Sequence, residues 1–209
     1  MIGMRSISAA ERVRVEAAVA DAEAQTSAEF ALVVARLSES YAPYPLLWGA
    51  VLGLVAGGIA AFFFPTLGIP IFFAIQAGVF LIASLAFHWW PLRLMLVPAS
   101  VKHHHARQLA QLQFAALVHD RTAEETGLLL FVALGERHVE ILVDRGIARR
   151  IPEATWTAVI DDFLNAVKAG QITEGLIKAV RACTSILEKH FPPVSGDKNE
   201  IPNRLVELR

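Results

Sequence analysis

The stretch that decides the fold is residues 46–64, LLWGAVLGLVAGGIAAFFF, followed by Pro65-Thr66-Leu67-Gly68-Ile69-Pro70 and a second apolar run, 69–90. The first run has 19 residues. At about 1.5 Å per residue, a helix of that length just crosses a hydrocarbon core of about 30 Å. Two prolines and a glycine favour a turn between the runs. The sequence therefore predicts a transmembrane helical hairpin within residues 44–92, with the lipid bilayer as its partner.

The composition of the whole chain follows from this one region. Of 209 residues, 55% are hydrophobic and 19% are charged, whereas soluble proteins average about 45–50% and about 25%. No Asp, Glu, Lys or Arg occurs between Glu39 and Arg93, and the rest of the chain has the charge content of a soluble domain. The net charge of −1 argues against a nucleic-acid-binding protein, which needs a basic surplus to meet phosphates.

A hairpin returns the chain to its starting side, so the segments before and after it are expected in one compartment. Tyr41, Tyr44 and Trp48 at its start, with Trp89 and Trp90 at its end, are typical of an aromatic belt at the membrane interface. The turn contains no basic residue. Basic residues flank both ends of the hairpin: Arg36, Arg93, Lys102 and Arg107. The positive-inside rule then predicts a multi-pass membrane protein with both termini, and the domain that they belong to, in the cytoplasm.

Small residues recur at four-residue intervals on both predicted spans. Gly49, Gly53 and Gly57 share one face of the first span, and Ala74 and Gly78 repeat the spacing on the second. Such a face allows another helix to approach closely. Two interpretations stay open: packing within the hairpin, or contact with a second copy or another membrane protein.

Outside the hairpin, hydrophobic periodicity predicts an α/β domain that the hairpin interrupts. The predicted helices cover about 8–25, 98–121, 155–169 and 173–190, and the predicted strands cover 29–37, 126–134 and 138–143. The expected buried stripe of the helix after Pro98 is Leu109, Leu112, Ala116 and Leu117. The chain thus divides into a first part of the domain (1–43), the hairpin (44–92), a second part (93–192) and an extended, loosely held C-terminal tail (193–209).

The segments 126–132 (TGLLLFV) and 137–147 (RHVEILVDRGI), with Trp156, Gly170 and Gly175 beyond them, resemble the TPM domain family. The resemblance covers most of residues 5–209 and is strongest to small bacterial members with two membrane spans. It implies a compact α/β fold. Family members are variously described as acid-phosphatase-like, as calcium-binding, and as accessory factors of membrane complexes, so the fold does not dictate one activity.

Three carboxylates are candidate metal ligands. Asp144 ends a strand directly before Arg145-Gly146, and Asp161 and Asp162 follow Trp156 on a predicted helix. Oxygen ligands of this type suit calcium or magnesium. The alternative is that Asp144 belongs to an ordinary turn and that the other two carboxylates lie on the surface.

The run His103-His104-His105 has two interpretations as well: a polar helix surface, or a metal-binding or pH-sensitive cluster. Successive helical residues fan around the axis, so the three side chains do not converge on one ion. The sequence contains no Walker A, G-x-S-x-G, G-x-G-x-x-G or C-x-x-C motif, and no catalytic residue is assigned. The preferred hypothesis is a membrane-anchored interaction or accessory factor; the alternative is a divalent-metal-dependent, acid-phosphatase-like enzyme or a calcium-binding protein.

Overall fold

The computed structural model describes residues 7–118, 125–194 and 200–208, and the chain forms two units. The α/β unit comprises the chain up to Ser38 and from His103 onward, and the apolar unit is Glu39–Lys102. The helices are α1 (Ala9–Glu23), α2 (Pro43–Phe63), α3 (Ile69–His88), α4 (Trp90–Leu96), α5 (Ala99–Leu117), α6 (Arg145–Ala148), α7 (Thr157–Lys168) and α8 (Ile172–Leu187). The strands are β1 (Glu29–Ala35), β2 (Gly127–Ala133), β3 (His138–Val143) and β4 (Leu205–Leu208), and a 3-10 turn covers Glu153–Trp156.

The strands of the α/β unit form one sheet in the order β3-β2-β1-β4. β1 pairs in parallel with both neighbours, so that Leu32 lies opposite Leu130 on one side and Leu205 on the other. β3 pairs with β2 in antiparallel register, as expected for two strands joined by a short turn. The hairpin therefore lies between β1 and β2 in the sequence, although the two strands are neighbours in the sheet. The predicted α/β fold class is confirmed.

Both faces of the sheet are covered. Because successive strand residues point to opposite faces, Leu32 and Leu130 face a core that includes residues of α1, α7 and α8. Val33 and Phe131 face a second core built with α5. This explains why β1 and β2 are buried at every position, as their continuous apolar sequences predict.

The buried face of α5 differs from the predicted stripe. Ala106, Ala110 and Val118 are fully buried, whereas Leu112 is 65% exposed. The two alanines share the core cluster of Val33 and Phe131. Leu109 and Leu117 of the predicted stripe pack against the same core while staying partly exposed, so the contact face combines these leucines with the two alanines.

The C-terminal segment also differs from its prediction. Residues 205–208 of the predicted loosely held tail instead form β4, which extends the sheet beside β1, and Leu205 is buried. Arg12 of α1 holds this strand through an ion pair of 2.8 Å with Glu207, and Glu16 accepts a hydrogen bond from the Leu205 backbone N–H at 3.0 Å. In addition, α8 covers Ile172–Leu187, so it begins one residue before and ends three residues before the predicted bounds.

In the apolar unit, α2 and α3 pack against each other as a helical pair. Their most apolar windows have mean hydropathies of 2.1 and 2.2, and only 17% and 6% of the residues in those windows are buried. Both helices are therefore long and apolar enough to cross a membrane. At the ends of the pair, the Trp48 indole N–H donates to the Leu96 carbonyl at 3.2 Å, which ties the start of α2 to the end of α4.

Candidate functional site

Asp144 lies at the junction of β3 and α6, where it caps the short helix. Its carboxylate accepts a hydrogen bond from the Arg145 backbone N–H at 2.9 Å, while its own N–H donates to the Gly127 carbonyl at 2.9 Å. The residue is buried. Its carboxylate therefore has a structural partner in the turn, as one of the two sequence interpretations expects.

Asp161 and Asp162 lie on the exposed surface of α7. Asp162 forms an ion pair of 2.9 Å with Lys178 of α8, and both side chains are mostly exposed. Within residues 7–118, 125–194 and 200–208, no group of three or more His, Cys, Asp or Glu is placed to hold one metal ion. The calcium or magnesium site at Asp144, Asp161 and Asp162 thus stays a prediction.

A cleft of about 340 Å³ opens beside the Asp144 turn. Its charged and aromatic lining comes from Arg149 and Arg150 after α6, and from His190 and Phe191 after α8. The Arg150 guanidinium donates to the His190 carbonyl at 2.9 Å and lies 4.7 Å from the centre of the Phe191 ring. These contacts fix Arg150, and the Arg149 guanidinium lies 3.9 Å from a Glu125 carboxylate oxygen, so both groups have partners within the chain. The two sides of the cleft come from distant parts of the sequence, which is why sequence reasoning did not assemble it.

One residue of the histidine run, His103, belongs to a cluster of polar side chains. His103 Nδ1 lies 3.2 Å from Nδ1 of His138, the first residue of β3. His138 Nε2 lies 3.1 Å from Glu140 Oε2, and Arg107 of α5 is 3.3 Å from Glu140 Oε1. His104 is exposed. The histidine run marks His103 in the sequence, but no sequence signal links it to His138 or Glu140, because 35 residues separate the two histidines.

The glycine face of α2 is turned towards α3. A Cβ on Gly53 would lie 2.9 Å from the Gln76 carbonyl oxygen, and one on Gly57 would overlap the Gln76 side chain. A Cβ on Gly49 would overlap Ser84. The structure thus favours packing within the hairpin for these glycines.

The small residues of α3 have different surroundings. A Cβ on Gly78 would meet nothing within 4 Å, and Ala74 is exposed. These two residues are therefore not used in the contact between α2 and α3.

Residues 91–186 match the family model described as the TPM domain. The match runs from α4 into α8 and includes β2, β3 and the cleft residues Arg149 and Arg150, whereas α1, β1 and β4 lie outside it. The match covers less than half of the chain and a narrower range than the resemblance above. No curated protein matches the sequence.

Among solved structures, the chain resembles the NMR structure of the BA42 protein from the psychrophilic bacterium Bizionia argentinensis. The TM-score is 0.61 at 18% sequence identity, and the alignment covers 97% of this chain and 96% of that one. At this identity the similarity concerns the fold alone.

Proposed function

We propose that the chain is a membrane-anchored protein in which α2 and α3 cross the bilayer as a hairpin, and that its TPM-like α/β unit serves as an interaction or accessory factor of a membrane complex. The observation that carries the proposal is the exposed apolar surface of the two helices. Phe62, Ile82 and Leu85 are 71–78% exposed. Burying each such side chain is worth about 1.5–3 kcal/mol, so a long apolar helix left this exposed is best accommodated by lipid.

The charge distribution supports a cytoplasmic position for the α/β unit. Basic residues flank both ends of the hairpin, while the connection between α2 and α3 carries no charged residue. The hydrogen bond from Trp48 to the Leu96 carbonyl keeps those ends together, as expected if both lie at one membrane surface. The positive-inside rule then assigns that surface to the cytoplasm.

Single-cysteine labelling tests both insertion and orientation. The native Cys183 is fully buried, and burial raises the pKa of its thiol to about 12, so it stays unreactive in the folded protein. We expect a membrane-impermeant maleimide added to intact cells to label Thr66→Cys, in the connection between α2 and α3. Glu188→Cys, on the exposed end of α8, is the matched control and reacts only after the cells are opened.

Two results would contradict the proposal. Release of the chain from membranes by alkaline carbonate would contradict anchoring. Labelling of Glu188→Cys, but not Thr66→Cys, in intact cells would contradict the proposed orientation.

The accessory role is tested separately, by cross-linking in native membranes followed by purification and identification of the cross-linked proteins. A stoichiometric membrane-protein partner is the expected result. Hydrolysis of a generic phosphate ester with magnesium or calcium, lost in Asp144→Asn, would instead favour the enzymatic alternative. Asn retains the capping oxygen at this position, so that variant separates chemistry from folding.

A further inference from the structure

We propose that His103 and His138 form a binding site for a divalent transition metal of the zinc or copper class. The site lies within the α/β unit, between α5 and the start of β3, and does not depend on the membrane proposal. The two Nδ1 atoms are 3.2 Å apart. Two nitrogens bound to zinc at about 2.0–2.1 Å with tetrahedral angles are about 3.3 Å apart, so the observed separation already suits two ligands of one ion.

The second observation is the carboxylate behind His138. Glu140 Oε2 lies 3.1 Å from His138 Nε2. Because a carboxylate accepts hydrogen bonds, Nε2 is the nitrogen that donates to Glu140, and in the neutral ring this leaves the Nδ1 lone pair facing His103. A histidine that donates its other N–H to a carboxylate is the usual arrangement at protein metal sites, where the carboxylate orients the ring and raises its basicity.

The carboxylate is itself held in place. Arg107, one turn after His103 on α5, lies 3.3 Å from Glu140 Oε1. The side chains of His138 and Glu140 are only 17% and 14% exposed, whereas His103 is exposed. The site therefore has one fixed ligand and one that can turn to meet an ion, with water completing the coordination.

Metal binding at this site displaces one proton from the ring nitrogen and changes no oxidation state. In the metal-free pair, His103 Nδ1 carries the proton that it shares with the His138 lone pair. The ion takes the place of that proton, which moves to Nε2 of the same ring. Imidazole nitrogen favours zinc, copper or nickel over calcium and magnesium, so this site differs in class from the carboxylate prediction above.

The test is a titration of the full-length, detergent-purified protein, prepared without a histidine tag, with Zn²⁺ alone. We expect one equivalent to bind and to raise the melting temperature, and we expect His103→Gln and His138→Gln each to abolish both effects. Glu140→Gln should weaken binding by about 10–100-fold. His104→Gln is the matched control, since this exposed neighbour lies outside the pair, and it should bind as the unmodified protein does.

Copper provides a readout that does not depend on folding stability. Electron paramagnetic resonance of the Cu²⁺-loaded protein should show coupling to two nitrogens, with coupling to at most one in His103→Gln. Since His103 is exposed, this variant is expected to fold. Absence of Zn²⁺ binding, or equal loss in His104→Gln and His103→Gln, would overturn the proposal.

Discussion

Glu23 is the last residue of α1 and Glu29 is the first residue of β1, and their carboxyl groups are close enough to interact. Glu29 is buried and accepts a hydrogen bond from the Ile201 backbone N–H at 3.0 Å. Glu23 is half-buried, and its carboxyl accepts from the Phe30 N–H at 3.2 Å. Burial, with the nearby charge of Glu29, raises the pKa of Glu23 to about 8, although hydrogen bonds from Phe30 and Asn203 oppose the shift. Glu23 therefore keeps its proton at neutral pH.

This pKa gives the stability of the protein a defined pH dependence. Between pH 4.5 and 8 the folded protein binds a proton at Glu23 that the unfolded chain has released, so the free energy of unfolding falls as pH rises through that window. Glu23→Gln cannot lose a proton there. We expect this variant to match the unmodified protein near pH 4 and to become progressively more stable than it up to about pH 9, measured by denaturation of the full-length protein in detergent.

The control for this prediction is Glu188→Gln, at an exposed residue directly after α8, which reports the effect of removing one surface carboxylate. A difference between Glu23→Gln and the unmodified protein that does not change with pH would contradict the prediction.

Single residues also show what the sequence could reveal. Phe163 and Cys183 are buried, and each lies three or four positions from another buried residue of its helix, as helical periodicity predicts. The pairing of His103 with His138 could not be predicted, because it depends on where the sheet places the start of β3 relative to α5. Local periodicity identifies which side of a helix is buried; it does not identify which distant side chain meets a polar residue.

At the scale of elements, the hairpin contact depends on backbone approach between α2 and α3. Gly53 faces the Gln76 carbonyl oxygen, whereas Gly58, five residues on, faces open space. We expect Gly53→Ala to loosen the hairpin, because an added Cβ at 2.9 Å from a backbone oxygen requires a helix to shift. Gly58→Ala should be neutral or stabilising, since alanine favours helix by up to about 1 kcal/mol.

The measurement for this pair is unfolding in mixed micelles of increasing SDS content, followed by circular dichroism. Both variants make the same chemical change on the same helix, so a difference between them reports the contact with α3. Equal midpoints would show that the glycine face is not closely packed.

The elements themselves were predictable to different degrees. β3 and the two apolar helices carry strong local signals, and their bounds lie close to the prediction. β4 has only four residues, and its place is fixed by β1 and by the ion pair of Glu207 with Arg12. Those partners lie far away in the sequence, so the local sequence pattern does not predict β4.

At the scale of the whole molecule, the α/β unit is interrupted at a single point on its surface. Ser38, the last residue before the interruption, donates its backbone N–H to Glu136 at 2.8 Å. His103, the first residue after it, contacts His138. Both ends of the interruption therefore contact the region where β2 is joined to β3, at Glu136 and at His138. An insertion at such a connection disturbs the core least.

This geometry predicts that residues 39–102 can be replaced by a short Gly/Ser linker. We expect the shortened protein to remain in solution without detergent, to run as a discrete species in size-exclusion chromatography, and to unfold cooperatively. The unmodified protein, purified in parallel, should require detergent. Aggregation of the shortened protein despite expression would show that the α/β unit depends on the apolar unit for folding.

The central position of β1 carries a consequence for biosynthesis. This strand is synthesised before the hairpin, yet its two partners, β2 and β4, are synthesised after it. An unpaired strand is a template for aggregation. If the hairpin enters the bilayer as proposed, β1 stays unpaired until the hairpin has been inserted and both partner strands have been synthesised. A chain that stalls before then keeps the hydrogen-bonding edges of this strand exposed.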